Sequence, residues 1–132
     1  MSETLLCPCG TGSPYLACCG PFHGGRAVPA SPEALMRSRY SAYVVLDEAY
    51  LRETWHPDTV PDDLEVSQDI DWRRLRILDA PPPVGDVGYV SFRAHYRSGQ
   101  ERGVLTETSR FVRSDGRWLY EMGEATDTTM SV

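Results

Sequence analysis

The stretch Val87-Gly88-Tyr89-Val90-Ser91-Phe92-Arg93-Ala94-His95-Tyr96-Arg97-Ser98 alternates along its length. Val90, Phe92, Ala94 and Tyr96 share one face; Tyr89, Ser91, Arg93, His95 and Arg97 share the other. Period two marks a strand with one side against a core and one against water. Upstream, Leu75 and Ile77 alternate with Arg74, Arg76 and Leu78, and Pro81-Pro82-Pro83 closes that strand. Downstream, Ser98-Gly99-Gln100 reads as a turn, 103–113 as a strand, Ser114-Asp115-Gly116 as a hairpin turn and 117–122 as a last short strand. The polar end from Thr126 to Val132 is expected to fray.

Ahead of the strands the period is helical. Ser31-Pro32-Glu33 supplies a capping hydroxyl, a proline for the first helical position and an acid in the first turn. Leu35, Met36, Tyr40, Tyr43 and Val44 then repeat at helical spacing. Asp47 caps a shorter helix from Ala49 to Trp55, which ends where His56 precedes Pro57. Helices followed by an antiparallel meander define an α+β domain.

Bulk properties narrow the function classes. The chain has 132 residues, 41% of them hydrophobic, enough for one domain with a small appendage. Its net charge is −6, so broad nucleic-acid binding is not expected, because phosphate neutralisation needs clustered cations. All 13 basic residues are Arg, which excludes a Schiff-base or P-loop lysine. No apolar run approaches the roughly 20 residues that span a bilayer, and Met1 to Leu6 lack the features of a secretory signal. The expected location is the cytoplasm, where thiols stay reduced.

All four cysteines fall between Cys7 and Cys19, as Cys7-x-Cys9 and then Cys18-Cys19. Four thiolates satisfy Zn²⁺ as a tetrahedron with Zn–S distances of about 2.3 Å. Pro8 helps fix the turn between the first pair, and Gly10 and Gly12 let the chain fold back closely. The ligand set is Cys7, Cys9, Cys18 and Cys19, with His23 in place of Cys19 as the alternative. A disulfide pair and a single reactive thiol are the competing readings. A reducing cytosol and the strain of bonding adjacent cysteines weigh against the first. No neighbouring base marks the second. A closed four-ligand site is structural rather than catalytic, and its binding energy is folding energy.

The run Cys7-Pro8-Cys9-Gly10-Thr11-Gly12-Ser13-Pro14-Tyr15-Leu16-Ala17-Cys18-Cys19-Gly20 resembles the SEC-C zinc-binding motif. Lysines common in such motifs after the Tyr are absent, which weakens the idea of a basic docking surface. The continuation through Pro21-Phe22-His23-Gly24-Gly25, Pro32 to Tyr43, Thr54-Trp55-His56-Pro57, Glu107 to Phe111 and Gly116-Arg117-Trp118 resembles the YchJ-like (UPF0225) proteins. The resemblance implies a SEC-C module in residues 1–25. It also implies an NTF2-like, cystatin-type α+β domain in residues 31–125, with helices packed on a curved antiparallel sheet. It brings a fold and a metal, not a reaction.

NTF2-like folds often enclose a cavity between sheet and helices. If Phe111 faces the core, strand parity puts Ser109, Glu107 and Leu105 on the same side. A carboxyl there needs a partner, and Arg37 or Arg39 is the candidate. The expected pocket contains Arg37, Tyr40, Tyr43, Trp55, Tyr96, Glu107 and Ser109, with Phe92 and Trp118 also near. Three readings stay open: a buried structural pair, a ligand site, or a hydrolase or isomerase using Glu107 as acid–base. His95 is expected on the outer face and His56 as a capping histidine. The leading expectation is a zinc-stabilised interaction or ligand-binding module. Its partner would be a protein at the zinc module or a small molecule in the pocket, with no membrane and no nucleic acid.

Overall fold

The computed structural model describes residues 5–130. A cysteine-rich tip contains a 3-10 turn at Tyr15–Ala17 and a short helix α1 at Gly20–His23. Helices α2 (Pro32–Val45) and α3 (Glu48–Glu53) follow, then strands β1 (Ile70–Asp79), β2 (Val87–Ser98), β3 (Glu101–Ser114) and β4 (Arg117–Met130). The strands form one antiparallel sheet in the order β1-β2-β3-β4.

Local chemistry sets these boundaries. Ser31 Oγ accepts the amide of Ala34 at 3.1 Å to start α2, and Asp47 Oδ1 accepts the amide of Tyr50 at 3.1 Å to start α3. Between β3 and β4, Asp115 and Gly116 have φ of +54° and +79°, the two left-handed residues of a tight hairpin. The last strand is longer than its sequence pattern suggests. It pairs with β3 as far as Arg102–Met130, so the expected fraying from Thr126 is corrected; Ser131 and Val132 lie outside the described residues.

The core lies between α2 and the concave face of the sheet. Leu35, Met36 and Tyr40 pack on Leu75, Val90, Phe92, Ala94, Phe111 and Trp118. Helix α2 is covered on two sides. Met36, Arg39, Tyr40 and Tyr43 face the sheet, while Arg37, Ser41 and the Ser38 carbonyl meet the tip. No helix among the described residues is long and apolar enough to cross a membrane.

Candidate metal centre and cavity

The tip folds around its sulfurs. The amide of Cys7 donates to Ser13 O at 2.8 Å, and the amide of Gly10 donates to Cys7 O at 3.2 Å. Gly10 and Gly12 hold φ of +90° and +88°, a region that L side chains avoid, which lets the loop reverse within a few residues. Cys18 ends the 3-10 turn, and Cys19 caps α1.

The four Sγ atoms lie within 4.8 Å of one another, all are free thiols, and only Cys18 is part-exposed. The Cys9 and Cys18 sulfurs are 3.6 Å apart, close to the roughly 3.8 Å edge of a tetrahedron with Zn–S bonds of about 2.3 Å. The donor set therefore fits a tetrahedral, thiophilic cation. A hydrogen bond from Cys19 draws the Cys9 thiol well below its usual range, and the same bond pushes Cys19 up. Burial raises Cys18.

His23 stands apart from this set. Its Nε2 lies 2.8 Å from Ser38 O, which can only accept, so Nε2 carries the proton; Nδ1 then accepts from Tyr15 OH at 2.6 Å. Both nitrogens are engaged, and Cys19 rather than His23 completes the cluster. The sulfurs are tied to α2 as well. Ser41 Oγ donates to Cys19 Sγ at 3.3 Å and lies 3.4 Å from Cys7 Sγ.

On the other side of α2 is a cavity of about 190 Å³. It brings together Tyr40, Tyr43, Trp55, Phe92, Glu107 and Ser109 from the expected set, and adds Arg39, Trp72 and Tyr120. Glu107 Oε2 accepts from Ser109 Oγ at 2.5 Å and from Tyr120 OH at 3.3 Å. Burial, then the nearby Glu107, pushes Tyr120 far above its usual range. Arg39 is 3% exposed. Its Nη1 donates to Leu51 O at 3.0 Å and Thr54 Oγ1 at 2.7 Å, and its guanidinium lies 4.9 Å from the Trp55 ring and 4.6 Å from the Tyr120 ring. Burial lowers its pKa.

A profile of the YchJ middle, NTF2-like domain matches residues 31–123. The chain belongs to the YchJ-like (UPF0225) family. It is 49% identical to a UPF0225 protein of Ralstonia nicotianae, over 95% of this chain and 94% of that one. It is 48% identical to one from Streptomyces coelicolor, over 94% and 98%. The solution structure of a SEC-C motif containing protein from Rhodopseudomonas palustris superimposes with a TM-score of 0.82 at 39% identity, covering 92% of this chain and 98% of that one. A crystal structure of a SEC-C motif containing protein from Psychrobacter arcticus gives 0.76 at 28% identity, covering 96% and 84%.

Within this YchJ-like fold, three expected pocket residues lie elsewhere. Arg37 turns to the tip, donating from Nη1 to Cys9 O at 2.7 Å and from Nε to Glu33 at 3.0 Å. Tyr96 lies over its cross-strand neighbour Gly103, where a Cβ would overlap its ring. Trp118 is in the core, beneath the Arg113 guanidinium. Neither Arg37 nor Arg39 forms an ion pair with Glu107; two hydroxyls donate to its Oε2 instead. Tyr120 was within reach of the sequence pattern, two residues beyond the inward Trp118. Trp72 was not, because an irregularity between Trp72 and Arg74 breaks the parity of β1.

Proposed function

We propose that this chain is a zinc-stabilised ligand-binding protein of the cytoplasm. The zinc site holds the tip against α2, and the NTF2-like cavity takes a small molecule. The observation that carries the ligand reading is the pairing of a nearly inaccessible Arg39 and the Glu107 carboxyl in one aromatic-walled cavity without an ion pair between them. Polar groups are costly to bury for packing alone. Binding without turnover is favoured because neither histidine of the main domain lines the cavity. His56 Nδ1 accepts the amide of Asp58, and His95 sits on the outer face of the sheet.

Metal analysis of protein purified under reducing conditions tests the zinc reading: one zinc per chain is expected, and zinc-free protein with an ordered tip would reject it. A second reading, a protein partner docking on the tip, is favoured by one observation: Leu5, Leu6 and Leu16 are 75%, 65% and 76% exposed there. Replacing all three by Ser would abolish such docking and leave zinc content unchanged.

A further inference from the structure

We infer that the cavity selects a small, planar, uncharged molecule whose one polar substituent carries an acceptor beside a donor, the chemistry of a ring carboxamide. The inference rests on the ligand-site reading above and deepens it.

Size comes first. A cavity of about 190 Å³ is slightly larger than the roughly 150 Å³ that takes benzene. The ligand is therefore one six-membered ring with one small substituent. The walls suit a flat body: Trp72, Tyr40, Tyr43 and Phe92 line it, with Trp72 6.2 Å from Tyr40 and 6.1 Å from Tyr43 between ring centroids.

The polar groups specify the substituent. Trp55 Nε1 is buried with no partner. An indole N–H can only donate, so it calls for an acceptor. Arg39 lies over the same indole, with its Nη1 donating to Leu51 O and Thr54 Oγ1. Opposite in character is Glu107. Its Oε2 takes both hydroxyl donors, and Oε1 has no donor among the described residues. That oxygen calls for an N–H or O–H. A carboxamide offers C=O to the first pair and NH₂ to the second.

Charge argues the same way. An anion meets Glu107, and a cation meets the buried Arg39. A zwitterion must shed the hydration of both its charges, which a low-dielectric cavity repays only with close pairing. A neutral molecule avoids each cost.

Benzamide, benzoate and benzamidine share a shape and differ in charge, and toluene reports on the apolar cavity alone. Affinities for the intact protein are read by amide chemical-shift titration. Benzamide is expected to bind about tenfold tighter than either ion, the size of one or two net hydrogen bonds. Trp55→Phe keeps a ring beside Arg39 but removes the N–H, and should weaken benzamide about fivefold more than it alters toluene binding. Glu107→Gln should bring benzoate to within about threefold of benzamide, an independent readout should Trp55→Phe fail to fold. Preference for either ion overturns the inference, as does benzamide binding indifferent to both substitutions. Toluene binding without preference for benzamide overturns the carboxamide class and leaves the ligand site standing. If none of the four binds, both readings fall.

Discussion

Gly123 stands opposite Ser109 on the neighbouring strand, and a Cβ there would overlap the Glu107 carboxyl. The missing side chain makes the space in which that carboxyl meets Ser109 and Tyr120. The φ of Gly123 is outside the left-handed region, so alanine fits the backbone and the cost is steric. Gly123→Ala should force Glu107 off its two hydroxyls and lower stability by about 1–2 kcal/mol. In a Glu107→Ala background the same change should cost less than half as much. Chemical denaturation of the four proteins checks this, and equal costs in both backgrounds would refute it. The inward position of Glu107 was legible from the parity of Phe111, Ser109 and Glu107. Its partner was not. Arg37 and Arg39 are two residues apart, about 200° around a helix, so they cannot share a side. Which one faces the sheet depends on where the tip docks, and no local pattern encodes that.

Strands read most clearly where the ladder is regular. Residues 87–98 carry an unbroken period of two and form β2 with those bounds. Irregularities in β1, and in β3–β4 between Arg110 and Phe111, are where parity fails. The outer face has its own electrostatics. Arg76 lies opposite Arg93, and Arg74 opposite His95, so like charges meet across the ladder. Partial burial first, then Arg74, Arg93 and Arg76, pull His95 below its ordinary value. A lowered folded value means that the unfolded chain binds the proton more readily. The contribution of His95 to stability is therefore full above the unfolded value of about 6.5 and is lost as pH falls through the folded one. An NMR titration should find its midpoint below that reference, and Arg93→Ser should move it upward. A midpoint at or above the reference would count against the ladder charges as a cause.

Across the whole molecule, α2 is the common wall of the cysteine cluster and the cavity. Arg37 and Ser41 contact the cysteine loop, while Arg39, Tyr40 and Tyr43, interleaved with them, line the cavity. The tip has little core beyond its own sulfurs and Tyr15. A bound zinc would therefore supply much of its folding energy, and structural zinc in isolated fingers is worth about 10–16 kcal/mol at neutral pH. The main domain keeps a separate core, so chelation should not unfold it outright. What α2 loses is its backing: the contacts of Arg37 to Cys9 O, of Ser41 to Cys19, and of His23 to Ser38 O. Chelation under reducing conditions should thus speed amide exchange in the tip and along residues 36–43, with the β2–β3 amides still protected. Benzamide affinity should fall in parallel, because a frayed α2 presents Arg39 and Tyr43 less often, and restored zinc should return both. Ser41→Ala, which removes a hydroxyl between two sulfurs and leaves all four in place, should give a milder form of the same pattern. If chelation frees the tip while residues 36–43 keep full protection, α2 is a rigid partition and the two sites act independently.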